Sequence, residues 1–124
     1  MLTIDCTFKC LAETKSFFIC LGDFLDEFYR SNDTDKQLSI ENEPRDYHLP
    51  THQRAFLASA VHKLANDFNL EVPAWVFKPI YYSKDKPYFD CNAVGNLRKL
   101  FLYKSPIEFK HRNVFVDENI LKRV

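Results

Sequence analysis

The chain has 124 residues, 17 basic and 17 acidic side chains and no net charge, with 12 Phe, 6 Tyr and 1 Trp. Such a length buries roughly two-thirds of its unfolded surface without a metal or disulfide staple, so residues 1–124 read as a single domain. Two glycines exclude a sheet built on tight hairpins, and the charge balance excludes a protein that grips duplex DNA by basic excess alone.

Residues 1–32 read as helix in two pieces, the second with Phe17, Phe18, Leu21, Phe24, Leu25 and Phe28 on one face and Asp23, Asp26 and Glu27 on the other. Asp5 and Lys9 interrupt the first piece, which excludes a signal peptide or a membrane span there. Cys6, Cys10, Cys20 and Cys91 are too dispersed for a disulfide framework, so the expectation is free thiols and a cytoplasmic location. A short helix is expected from Asp33 to Ile40, followed by a polar surface connection over Glu41–Asp46.

The stretch from Thr51 to Trp75 carries the strongest pattern. Phe56, Leu57, Ala60, Val61, Leu64, Ala65 and Phe68 recur at steps of three and four, which makes one apolar stripe on a central helix. Pro50 suits its start, and Asn69 suits a left-handed stop. Pro73 and Pro79 then forbid a long helix, and Lys78–Asp90 reads as an irregular Pro/aromatic segment.

Asn92 is placed to cap a helix with Val94, Leu97, Leu100 and Phe101 as its apolar positions. Ser105-Pro106-Ile107-Glu108 has the grammar of a capping box, with a short helix to His111. Asn113 suits a second left-handed cap, Val114–Val116 is extended, and Asp117 is placed to cap a last short helix through Leu121. The expected architecture is all-α: a single-domain bundle of five to seven helices, several short, with Phe24, Phe28, Phe56, Leu57, Leu64 and Phe68 in its core.

Four constellations carry candidate chemistry. Cys6-x3-Cys10 and His48-x3-His52 have the residue types of a Cys2His2 zinc site, but Pro50 separates the histidines and a chain of this size needs no staple; no metal or cofactor is assigned. Arg45 and His52 match, at its outer limit, the spacing of a HEPN-like ribonuclease, an alternative that Pro50 weakens because both side chains would come from one helix. His62 falls outside the apolar stripe and reads as solvated. Residues 1–50 hold ten acids and five bases, and residues 98–124 three acids and seven bases, so charge runs from negative to positive along the chain. Lys110 and Arg112 lie in that basic tail, which supplies a second alternative, a regulator that binds nucleic acid through the C-terminal region. Trp75, Phe77, Tyr81, Tyr82 and Tyr88 form an aromatic group that would suit an interface platform if exposed, since Trp and Tyr are favoured interface anchors.

Taken in order, Phe56-Leu57-Ala58, Leu64-Ala65, Val72-Pro73-Ala74-Trp75-Val76, Pro87-Tyr88-Phe89 and the ending from Ser105 to Arg123 resemble a small bacterial family. Its larger members resemble helix-turn-helix regulators whose C-terminal half looks like residues 20–124 here. Its shorter members are similar to stand-alone antitoxin-like proteins encoded beside nucleotidyltransferase-like proteins. No helix-turn-helix pattern lies ahead of residue 20. The resemblance therefore implies a non-enzymatic protein that binds and restrains a nucleotidyltransferase-type partner, with Trp75, Phe77, Tyr81, Tyr82, Tyr88, Lys110 and Arg112 as candidate contact residues and no catalytic residue.

Overall fold

The computed structural model describes residues 2–14, 16–90 and 93–122. Six helices are present among them: α1 (Ile4–Thr14), α2 (Phe17–Arg30), α3 (Asp33–Glu41), α4 (Thr51–Asp67), α5 (Gly95–Lys104) and α6 (Ile107–His111). Two short strands, β1 (Tyr88–Phe89) and β2 (Val114–Phe115), pair in parallel with Tyr88 opposite Val114 and Phe89 opposite Phe115. The fold is all-α in class, and no helix is long and apolar enough to cross a membrane.

The stripe on α4 explains the layout. Ala55–Val61, Leu64 and Ala65 are all buried, so seven consecutive residues of this helix contact protein rather than water. A helix covered on most sides must be central. It packs against α6, β2 and the two 3-10 turns at Ala74–Phe77 and Pro79–Tyr81. α1 packs on α2 and α2 on α3. Phe17 meets Phe56 edge-on at 4.7 Å, and Phe28 meets Phe68 at 5.5 Å. The α2 face set by Leu21, Phe24, Leu25 and Phe28 is buried as its spacing predicts.

Local signals place the chain reversals. Asn32 caps α3 by accepting the Asp35 amide at 2.8 Å. Asn69 and Asn113 have φ of 55° and 64°, the left-handed conformation in which asparagine is tolerated. The indole N–H of Trp75 donates to the Ile40 carbonyl at 3.0 Å, so the turn after α4 is tied to the end of α3. Tyr29 donates through its hydroxyl to the Leu121 carbonyl at 2.6 Å, which ties the tail to α2.

Several expectations are corrected. The capping box at Ser105 does not form: the Ser105 hydroxyl donates to the carbonyls of Phe101 and Val116 and accepts the Val116 amide, while Pro106 takes the cap position of α6. Glu108 is instead buried and accepts from the Asn66 side chain at 2.9 Å. Asn92 lies outside the described residues; α5 begins at Gly95, whose φ of +60° suits glycine at the bend, with Val94 ahead of it. Of the four apolar positions expected to face inward there, only Phe101 is buried, and Val94, Leu97 and Leu100 are exposed. Asp117 accepts the Asn119 amide at 2.8 Å, forming a turn through Leu121 rather than a helix.

Free thiols are also corrected. α2 folds back along α1, bringing Cys10 and Cys20 to a Cα separation of 5.9 Å as a disulfide, while Cys6 is free and exposed; Cys91 lies outside the described residues. Cross-linking a loop this short stabilises by about 3 kcal/mol on the chain-entropy account, against a core drawn from α1, α2, α4 and α6 that does not depend on it. Reduction is therefore expected to lower the unfolding free energy from urea denaturation by that amount while the far-UV circular dichroism stays helical. Loss of helical signal on reduction would show that the bond, not the core, holds the α1–α2 pair.

Candidate functional site

The basic tail and the aromatic segment meet in the interior. Asn113, in its left-handed conformation, turns the chain after α6 so that Arg112 points under the 74–77 turn, where it is fully buried. Its Nη1 donates to the Glu108 carbonyl and to His62 Nδ1, each at 3.1 Å, and its Nη2 donates to the Val76 carbonyl at 2.9 Å. The Tyr82 ring lies 4.9 Å and the Phe77 ring 5.8 Å from the guanidinium. Among the described residues no partner is found for Nε. Arginine only donates, so His62 Nδ1 is an acceptor and the imidazole proton sits on Nε2.

This geometry divides the expected platform. Phe77, Tyr82 and Arg112 gather around the guanidinium with His62, whose ring meets Phe77 edge-on at 5.2 Å. Trp75 and Tyr81 pair separately at 5.0 Å, both buried, with the Tyr81 hydroxyl donating to Glu43 at 3.0 Å. Burial, with Glu43 as acceptor, holds the Tyr81 phenol protonated far above its usual range. Tyr88 lies apart, half-buried and stacked on His52 at 4.6 Å. Lys110 is half-buried and donates to the Tyr103 carbonyl at 2.9 Å.

Trp75, Tyr81 and Arg112 are thus corrected as contact residues, because a partner cannot reach side chains already enclosed by the fold. Phe77, half exposed, is the one aromatic of the group with a substantial open surface. His62 is corrected as well: α6 covers it, and it is half-buried rather than solvated.

A cleft of about 400 Å³ lies between α1, the 43–49 connection and the 79–81 turn. Its charged groups are already engaged. Arg45 pairs with Asp5 at 3.0 Å, Glu43 binds Lys78 at 2.5 Å, and Arg54 donates to the carbonyls of Ile80 and Leu49 and to the Thr51 hydroxyl. Burial alone would raise the Asp5 carboxyl, but bonds from Arg45 and Tyr47 outweigh it and leave it below the usual range. His52 belongs to a different, narrow slot lined by Phe17, Phe56 and Tyr88. Arg45 and His52, the ribonuclease pair, are therefore not brought to one site. Cys10, one of the four candidate zinc ligands, is committed to Cys20, and no cluster of three or more metal-ligating side chains occurs among the described residues.

What the spacing missed is the surface of α5. Leu97, Leu100, Leu102 and Tyr103 are exposed, as are Val94 before it and Ile107 after it, while Arg98, Lys99 and Lys104 are its only charges. The signal was present: the apolar residues of this helix encircle it instead of forming one stripe.

Compared with models of protein families, with curated proteins and with solved structures, the chain has no match.

Two measurements test the Arg112 arrangement. Arg112→Ala leaves two carbonyls without their donor and opens a cavity, an expected loss of about 3–5 kcal/mol in urea denaturation, whereas Arg112→Met, which refills the volume without a charge, is expected to lose less. Equal losses would show that the charge itself is required.

The His62 imidazole is held below its ordinary value of 6.5, first by burial and then by Arg112 and His111, with Glu108 opposing. Its folded value lies below the unfolded one, so its contribution is complete above about pH 6.5 and is lost as pH falls through the lowered folded value. Burial lowers His52 in the same sense. The urea midpoint is expected to fall between about pH 7 and pH 5, and His62→Gln with His52→Gln is expected to flatten that dependence. An unchanged slope would contradict the assignment.

Proposed function

We propose that this chain is a non-enzymatic, antitoxin-like binding protein of the cytoplasm that restrains a nucleotidyltransferase-type partner. One observation carries the binding reading: six of the large exposed apolar side chains, Val94, Leu97, Leu100, Leu102, Tyr103 and Ile107, fall within a single stretch of chain. Apolar side chains scattered singly over a surface need no explanation, but a concentration of this kind marks an interaction site. The identity of the partner rests on the sequence resemblance alone.

The two alternatives have less support. The ribonuclease would need Arg45 and His52 in one site, and they line separate depressions. The nucleic-acid regulator would need the basic tail to face solvent, and Arg112 is enclosed while Lys110 is engaged at the end of α5.

Co-expression with the product of the neighbouring gene, which the resemblance implies is nucleotidyltransferase-like, is the direct test. The expected result is co-purification in near-equal amounts, with nucleotidyl transfer falling to background as the ratio approaches one to one. If the two proteins elute separately, or transfer proceeds unchanged in the complex, the proposed restraint is wrong.

A further inference from the structure

We propose that α5 is the docking element, a helix that seats in a two-walled apolar groove of a partner protein whose rim carries carboxylates. This rests on the binding-protein reading above and adds the element used and the chemistry of the surface that receives it.

The argument begins with the arrangement of side chains around the helix. Successive residues are about 100° apart, so Leu100 and Leu102 lie on opposite flanks of the inward-facing Phe101. Both are nearly half exposed, at 48% and 45%, and Tyr103, on the crest between them, is exposed to 82%. Leu97 extends the Leu100 flank by one turn. Phe101 is the anchor on the body of the protein, and α5 makes only sparse contacts with the other elements. Lys99, one turn before Tyr103, shares the crest, while both flanks are apolar, and a helix with two apolar flanks is patterned for burial on more than one side. Its own fold covers one side.

The same arrangement selects the occupant. A helix lying on a membrane surface keeps its apolar residues on one side and its charges on the other. Here leucines occupy both flanks, which suits two walls rather than one plane. No acidic residue lies between Ala93 and Ile107, where Arg98, Lys99 and Lys104 are the charged side chains. Two copies of α5 side by side would therefore set bases against bases, which disfavours self-pairing through this helix. A phosphate backbone would satisfy the three bases but leave the leucines in water. A protein groove with apolar walls and acidic edges satisfies both sets, in the helix-in-groove mode of recognition. Arg98 is already oriented, its guanidinium 4.0 Å from the Phe89 ring on β1, and Lys110 secures the last turn through the Tyr103 carbonyl.

The test places a photo-crosslinking residue, benzoylphenylalanine, in the full-length chain in its own cells, in place of Tyr103 and, as a control, in place of the exposed Thr34 on α3. The expected result is one protein adduct from position 103 and not from position 34, with the crosslinked peptide apolar and flanked by Asp or Glu. Arg98→Glu with Lys104→Glu is expected to cut the adduct yield by about tenfold, as reversal of rim charges opposite carboxylates should. Leu100→Glu with Leu102→Glu is expected to abolish it. Far-UV circular dichroism of each variant confirms that the loss is not unfolding.

The inference is overturned by no adduct, by equal yield from both positions, by an adduct with lipid, nucleic acid or a second copy of the chain, by a crosslinked peptide without acids, or by indifference to the charge reversal. An adduct meeting every criterion with a protein other than a nucleotidyltransferase would keep α5 as the docking element and refute the proposed partner. A co-purifying nucleotidyltransferase with no adduct at position 103 would do the reverse.

Discussion

A guanidinium without a carboxylate partner sits near the middle of this protein, and four segments are arranged to satisfy it. Arg112 draws on a carbonyl from α6, a carbonyl from the 74–77 turn and an imidazole nitrogen from α4, beneath the ring of Tyr82. Burying such a charge costs several kcal/mol unless acceptors are already in place. The acceptors are backbone and ring atoms, whose positions depend on the segments that carry them. α6, the turn after α4 and the chain following Pro79 are therefore fixed relative to one another as a set, and displacing one strands the charge for all.

α4 makes this possible by being covered on most sides. Its apolar stripe receives α2 through Phe17 and Phe56, while Phe109 of α6 meets Phe56 from another direction at 5.2 Å. The irregular 72–90 segment then has a fixed wall to fold upon. Its aromatics close the structure instead of opening it: Trp75 and Tyr81 reach toward α3 and Glu43, and Tyr88 stacks on the first turn of α4. Aromatic residues with polar tips serve interfaces and interiors equally well, because each needs an apolar contact and one hydrogen bond. Here the interior claims them.

α5 is the counterpart. It lies between β1 and α6, whose positions are set by the β1–β2 pairing and by Arg112, and it is anchored through Phe101. Anchored through Phe101 and sparsely packed otherwise, it presents its remaining apolar side chains to solvent. The acidic excess of residues 1–50 lies in the other part of the chain, so basic and acidic charge are carried by different elements. Charge distributed in this way orients an encounter more than it strengthens a complex.

Periodicity and local chemistry were sufficient for the all-α class, the two-piece helical start, the bounds of α4, the buried face of α2 and the left-handed turns at Asn69 and Asn113. Each of these is settled within a few residues, by repeat spacing or by the tolerance of asparagine for positive φ. Tertiary structure alone decided which side of each ambiguous group faces water. Ser105 had the grammar of a cap and became a bridge to Val116, because β2 returns beside it. Arg112 read as part of a basic surface and became the centre of the core, because carbonyls from distant segments converge on it. Val94, Leu97 and Leu100 read as the apolar positions of a helix and are exposed, because none of the described residues folds over them. Burial of an arginine or exposure of a leucine depends on partners tens of residues away, and no local pattern encodes where those partners will be.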